Sequence, residues 1–528
     1  MTSSPRAPRT LLATGFALVA LGAGAPGALA QELDWEACGD AGAECATATV
    51  PRDYARPTGK TLDIAVTRVK ATDPEKRIGS LFFNFGGPGA PAAIYVEAFG
   101  AELFGTLSDR FDIVGVDPRG TGDSEGAIDC EVDQEREGVY SPFTTPLNLN
   151  VNQLVATDQR YIQRCLQRND ADVLPYVSTA NTARDLDWIR DALGERRLSY
   201  LGFSYGTFLG ATYASLFPNR YRALVLDGAL DADRYINKPL ESLREQTSGF
   251  ERALGRFLAA CEGDQVACSG FGGADPWTAF DELIEQADRQ PLPTAQGRPL
   301  DGDDIRAGSA QAVYSKASWG ELGQALAQAA DGDGTLMRDI TDGFYGRNED
   351  GSYDQLLDRY YAIGALEQRY PKRLDAYLEA GDHSWGLFDH AFWNHGYTEL
   401  AWGLWPVNPR GVFRGPFKAA RNGPTALVVA TTYDPATPYR GSVRLARDLG
   451  NARLLTMRGD GHTAYGGNSP CIDAAVEGYL ENGVVPADGT TCVQDVPFTP
   501  PEPEARSLAP RDNELRVLRP HMRPLRLG

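Results

Sequence analysis

A serine set between two glycines, Gly202-Phe203-Ser204-Tyr205-Gly206, is the residue of this sequence best placed to do chemistry. It follows an apolar run, Leu198 to Phe203, and precedes a helical pattern, Phe208 to Phe217. A nucleophilic serine on a sharp strand-to-helix turn needs this layout. Its backbone crowds its neighbours, and glycines two residues before and after remove the side chains that would collide. A hydroxyl is a weak nucleophile and requires a base held beside it. In a site of this kind the acid and then the base follow later in the chain. Of the 5 histidines, only His462 and His521 lie beyond the last two strand-like runs. His521 stands in a basic tail, whereas His462 stands in Gly459-Asp460-Gly461-His462-Thr463, directly after a strand-like run. His462 is therefore the expected base. His383, His390 and His395 fall among Trp and Phe and are expected to be packed structural residues.

The acid should come from a loop after a strand and hold the imidazole in one tautomer. Asp434, in Tyr433-Asp434-Pro435-Ala436-Thr437-Pro438, is preferred; Asp227, after Arg222 to Leu226, is the rival position. Asp460 is too near His462 in sequence to be a third member. A tetrahedral oxyanion needs preorganised N–H donors. One is expected from Tyr205, the residue after the nucleophile. The other is expected from the turn Asn84-Phe85-Gly86-Gly87-Pro88-Gly89, from Gly87 or, as the open alternative, Gly86.

These residues need a scaffold of strands. Thr61 to Val69, Gly79 to Phe85, Phe111 to Val116, Leu198 to Phe203, Arg222 to Leu226, Thr425 to Thr431 and Arg453 to Met457 all read as strands. Several are continuous apolar runs, as expected of a parallel sheet buried on both faces. Helical patterns such as Thr182 to Leu193 lie between them, so the fold class is α/β, a doubly wound and mostly parallel sheet. The alternation stops after Asp227-Gly228 and resumes near Thr425. The expected organisation is an α/β core over 31–230 and 401–492, with a helical cap, 231–400, inserted between late strands and lying over the ligand-binding edge.

Residues 1–30 read as a signal peptide: Arg6 and Arg9 precede an apolar stretch, Leu11 to Leu21, and Ala28-Leu29-Ala30 has the small-x-small pattern of a cleavage site. That apolar stretch is too short for a transmembrane anchor. The 8 cysteines, an even count in an exported chain, are expected in disulfides. Order along the chain suggests local pairs, Cys38–Cys45, Cys130–Cys165, Cys261–Cys268 and Cys471–Cys492, although order alone does not fix connectivity. The net charge of −20 disfavours nucleic acid as a partner. No cofactor and no metal is implied. Asp301, Asp303 and Asp304 lack the spacing of a calcium loop and read as solvated charges. Residues 493–528, rich in Pro and later in Arg, read as a poorly packed tail.

Taken together, these segments resemble the secreted tripeptidyl aminopeptidases, relatives of prolyl aminopeptidase among the α/β-hydrolase serine peptidases. The resemblance rests on Gly86-Gly87-Pro88-Gly89, Asp117-Pro118-Arg119-Gly120-Thr121-Gly122, Ser204-Tyr205-Gly206-Thr207, Leu226-Asp227-Gly228, Asp434-Pro435-Ala436-Thr437-Pro438 and Gly461-His462. Asn84-Phe85-Gly86 departs from the His- or Pro-containing version expected there. The resemblance implies that Asp434 is the catalytic acid and Asp227 part of a structural motif. It further implies an acyl-enzyme on Ser204, release of di- or tripeptides from a peptide with a free N-terminus, and a cap acid holding the substrate ammonium. A carboxylesterase using the same triad is the alternative reading, and a non-catalytic binding protein a minor one.

Overall fold

The computed structural model describes residues 32–39, 41–139, 150–388 and 395–499. The segment read as a signal peptide, His390, His521 and tail residues 500–528 lie outside them. Among the described residues ten strands form one sheet: β1 (Glu36–Cys38), β2 (Ala43–Pro51), β3 (Thr61–Val69), β4 (Gly79–Asn84), β5 (Phe111–Val116), β6 (Leu198–Phe203), β7 (Tyr221–Asp227), β8 (Ala426–Tyr433), β9 (Ala452–Asp460) and β10 (Thr491–Val493). Their order is β1-β2-β3-β5-β4-β6-β7-β8-β9-β10. From β5 to β10 every pairing is parallel, and β1, β2 and β3 extend one end antiparallel.

The continuous apolar runs have a direct cause. Along β4, Leu81 and Phe83 enter one core with Leu201, Phe203 and Val225, while Phe82 enters another with Tyr200, Leu224 and Leu226. Successive side chains point to opposite faces, and both faces are covered, so every position must be apolar. Sequence reading misses β1, β2 and β10. β2 is rich in Ala and Thr and only partly buried, and β1 and β10 have three residues each, too few for a period to register.

Between β7 and β8, which pair directly (Val225 opposite Leu427), the described residues form helices and two isolated β-bridges but no strand of the sheet. Their first part, including Pro239–Gly263, Pro276–Arg289, Gly302–Val313 and Thr335–Tyr345, packs around a separate core with Phe257, Phe280, Leu322 and Met337 at its centre. The later helices Leu356–Glu367 and Leu400–Leu404 instead bury Tyr361, Leu366 and Trp402 in the core beside the sheet. One continuous insertion thus serves two cores.

The acids Asp301, Asp303 and Asp304 are not simply solvated charges. Asp301 caps helix Gly302–Val313 in a reciprocal capping box with Asp304, which satisfies backbone donors that the first helical turn leaves unpaired. Asp304 is buried beside the guanidinium of Arg338, and its burial pushes the carboxyl up to about 7. Asp303 pairs with Arg306 at 2.7 Å. Arg338, itself fully buried, also donates to Glu135 (2.8 Å), tying the insertion to the loop after β5. The start of the tail is packed as well: Val496 is buried, and Phe498 lies edge-on to Phe257 and Trp319.

The cysteine pairs in the structure are Cys38–Cys45, Cys130–Cys165, Cys261–Cys268 and Cys471–Cys492. The first staples β1 to β2, and the last ties helix Pro470–Asn482 to β10. Among the described residues no helix is long and apolar enough to cross a membrane.

Candidate active site

β6 ends at Phe203, and helix Tyr205–Leu216 starts just after Ser204. Ser204 has φ 54° and ψ −124°, a left-handed conformation that is costly for a residue with a Cβ. The turn holds it by hydrogen bonds. Ser204 N–H donates to the Asp227 carbonyl (2.9 Å), and the Thr207 N–H (2.9 Å) and hydroxyl (2.6 Å) donate to the Ser204 carbonyl. The flanking glycines are set by close approach. A Cβ on Gly202 would lie 2.5 Å from the Gly206 carbonyl oxygen, and one on Gly206 2.5 Å from that of Asn84. Ser204 lines a cleft between the sheet edge and the insertion, along with Gly87, Tyr205, Tyr235, Tyr360 and Trp402.

The structure brings His462 and Asp434 together. Nδ1 of His462 lies 2.9 Å from each carboxylate oxygen of Asp434, and both residues are buried. Asp434 is itself fixed by donors: the N–H groups of Ala436 (2.9 Å) and Thr437 (2.7 Å), the Thr437 hydroxyl (2.9 Å) and the Thr463 N–H (3.3 Å). A neutral imidazole with a carboxylate acceptor at Nδ1 holds its proton there, which is the tautomer whose Nε2 can accept a proton. The backbone N–H of His462 donates to the Tyr314 carbonyl (2.7 Å), so the insertion also holds this loop.

Asp227, the rival acid, faces the backbone of the same loop instead. Its carboxylate accepts the N–H groups of Ala464 (3.0 Å) and Tyr465 (2.8 Å), just beyond the imidazole. Complete burial pushes its carboxyl up to about 6, against the pull of those N–H donors. Between about pH 4 and about 6 the folded state therefore keeps a proton that the unfolded chain has lost. Stability from this group is present below the unfolded value and falls as pH rises through that window. In Asp227→Asn, the decline in melting temperature from pH 4 to 6 is expected to be smaller than in wild type. An unchanged decline would refute this origin for it.

Gly228 separates the anchoring acid from the cleft. A Cβ there would lie 3.1 Å from Cε1 of His462 and 3.0 Å from the Thr463 methyl, at φ 65°. Gly228→Ala is expected to displace the imidazole and lower kcat by about 10- to 100-fold, the scale expected for a misplaced catalytic group. A kcat within twofold of wild type would show that the imidazole is not held against this glycine.

In the glycine turn, Gly86 N–H already donates to the side-chain oxygen of Asn84 (3.1 Å). A Cβ on Gly86 would lie 2.9 Å from that of Ser204 and 3.1 Å from the Tyr205 nitrogen, so the turn and the elbow are in direct backbone contact. Gly87, exposed on the cleft, is left as the turn's available donor beside Ser204. Asn84 thus has a local function where a different residue type is expected: it engages Gly86 and leaves Gly87 to the cleft.

Other titratable residues sit apart. Asp460 pairs with Arg256 of the insertion. His395 is buried, with Nδ1 3.3 Å from Glu399, but His383 is exposed, contrary to the packed role expected of it, because it lies on the outer face of helix Asp375–Trp385. On the cleft wall Glu245 pairs with Arg444 (2.8 Å) and with Arg234, and Asp231 lies 3.4 Å from Arg444, so both acids carry guanidinium partners. Sequence reading misses Glu367, a wholly buried carboxyl that burial pushes up to about 7. Its one sequence signal is a glutamate ending an otherwise apolar stretch, Ile363-Gly364-Ala365-Leu366-Glu367.

Comparison with known proteins points to one group. The family model described as TAP-like protein matches residues 393–492, and the one described as alpha/beta hydrolase fold matches residues 82–265. Serine protease Hip1 of Mycobacterium tuberculosis is 32% identical over 488 residues, covering 88% of this chain and 91% of that protein. Carboxylesterase B of the same organism is 34% identical, again with 88% and 91% covered. Tripeptidyl aminopeptidase of Streptomyces coelicolor is 30% identical, with 89% of this chain and 87% of that protein covered.

Proposed function

This chain belongs to the tripeptidyl-aminopeptidase-like family of α/β-hydrolases, and from that premise we propose that it is an exported serine aminopeptidase with Ser204, His462 and Asp434 as its catalytic triad. It is a serine hydrolase by family and fold. The observation that carries the triad is the pairing of His462 Nδ1 with both oxygens of an Asp434 carboxylate that four donors hold in place.

In the proposed cycle Oγ of Ser204 attacks the scissile carbonyl and its proton passes to Nε2 of His462. The carbonyl oxygen becomes an oxyanion received by the N–H groups of Tyr205 and Gly87. The C–N bond then breaks as the imidazolium returns its proton to the leaving amine, leaving an acyl-enzyme. Water attacks that ester, again losing its proton to His462, and Ser204 recovers its hydrogen as the acid product departs. Asp434 stabilises the imidazolium in both halves without itself taking the proton.

The substrate is a peptide, as the name of the relative serine protease Hip1 favours, and one with a free N-terminus, as that of tripeptidyl aminopeptidase favours. The second reading, an esterase, is favoured by the similarity to carboxylesterase B. Four disulfides support export, because such bonds persist in oxidising compartments. Protein recovered from culture medium is expected to begin at Gln31. Assayed on tripeptidyl, N-acetyl-tripeptidyl and single-residue p-nitroanilides beside p-nitrophenyl esters, it should favour the free-amine tripeptide by at least about tenfold in kcat/KM. Ester turnover with no anilide cleavage would refute the peptidase, and protein that stays in the cell with residues 1–30 attached would refute export.

A further inference from the structure

Helix Leu356–Glu367 abuts one side of the proposed oxyanion site directly and reaches the other through Thr179. At its start, Leu356 approaches within 3.5 Å of where a Gly87 Cβ would lie. One turn on, Arg359 fills the space over Gly89, where a Cβ would come within 2.4 Å of its own Cβ. At its end, Glu367 is 1% exposed and its Oε2 accepts from both the N–H (2.9 Å) and the hydroxyl (2.6 Å) of Thr179. The Thr179 oxygen is in turn hydrogen-bonded to the hydroxyl of Tyr205. A hydroxyl has one proton. Since that of Thr179 goes to the carboxyl, its oxygen accepts from Tyr205, and the chain runs one way: Tyr205 to Thr179 to Glu367.

A carboxyl is an expensive group at this place. It is wholly buried and stands at a helix C-terminus, where the exposed carbonyl ends disfavour negative charge. The guanidinium of Arg414 bonds to the Glu367 main-chain carbonyl (2.8 Å) and not to its carboxylate. Helix packing alone would be served by an apolar residue. What the carboxyl adds is a fixed acceptor for Thr179, and through it a fixed Tyr205 ring directly beside the nucleophile.

We propose that Glu367 is a positioning residue of the oxyanion site: through Thr179 it fixes Tyr205, whose N–H is one donor, and ties that donor to the same helix that abuts the Gly87 turn. This rests on the reading of Ser204 as nucleophile with Tyr205 and Gly87 as donors. A shared oxyanion site serves every acyl substrate, so the effect falls on kcat whether or not the substrate carries an amine.

The test uses the full-length protein with p-nitrophenyl acetate, which has no amine, and a free-amine tripeptidyl p-nitroanilide. Glu367→Ala and Thr179→Val are each expected to lower kcat about 10- to 100-fold on both substrates, below the loss from deleting a donor outright, with KM changed less than about twofold. The double variant should lose no more than the worse single, because both cut one chain. Glu367→Gln, which keeps an acceptor for Thr179, should recover most of the kcat lost in Glu367→Ala. Tyr205→Phe removes only the far hydroxyl and should lower kcat on both substrates even if Glu367→Ala fails to fold. A KM increase confined to the amine-bearing peptide would overturn the proposal and make Glu367 an ammonium site. Unchanged kcat in Thr179→Val and Tyr205→Phe, or additive losses in the double variant, would also overturn it. If fluorophosphonate fails to label Ser204 in wild type, the fault lies with the nucleophile and not with Glu367.

Discussion

Ser204→Ala is expected to lower kcat by about 10⁵- to 10⁶-fold, the scale on which removing the serine of a triad disables hydrolysis. The residual rate should remain above that in water, because the Tyr205 and Gly87 N–H groups would still receive a developing oxyanion. Little else should change. Ser204 is held through its backbone, by Asp227 and Thr207, so the melting temperature should stay within a few degrees of wild type. A fluorophosphonate should modify wild type at the peptide containing Ser204 and leave the Ala variant unmodified. Labelling of wild type at another residue, or a variant retaining more than about 1% of kcat, would remove Ser204 from its role.

The second large effect is expected in Asp434→Asn, with kcat falling about 10⁴-fold, as an amide at this position presents the imidazole with the wrong tautomeric partner. The N–H donors of Ala436 and Thr437, which both grip Oδ1, can still hold the amide oxygen, so the loss should come from chemistry and not from collapse of the loop. Asp227→Asn should lose only about tenfold. Its carboxylate anchors backbone N–H groups beyond the imidazole, and one amide oxygen replaces part of that anchorage. The opposite ranking, with Asp227→Asn the more damaged, would move the acid role to Asp227.

Both aspartates come at the C-terminal ends of apolar strands and both are buried, so loop position favours Asp434 without excluding Asp227. Asp227 ends β7 and Asp434 follows β8, and these strands are neighbours. What separates them is which part of the next loop each one meets: Asp434 meets the imidazole and Asp227 the backbone two residues on. The same holds for the glycine turn. Gly86 and Gly87 are equivalent as letters, and what distinguishes them is the bond from Gly86 to Asn84 and the exposure of Gly87 on the cleft. The elbow is different, because the strand, the glycines, the serine and the helix are contiguous and their steric demands are met within a few residues.

The sequence by itself determined the elbow turn that carries Ser204, the loop that carries His462 and the buried parallel strands beneath them. Each of these follows from short-range rules: a backbone that tolerates only glycine beside a strained serine, and strands that must be apolar on both faces. Tertiary structure alone decided which carboxylate faces His462, which glycine of the turn faces the cleft, and how one helical insertion divides between two cores. It also decided that Glu367 reaches Thr179 across 188 residues of chain. The reason is that hydrogen bonds and burial depend on distance in space. Residues alike in type and local setting acquire different roles only when the folded chain places different partners against them.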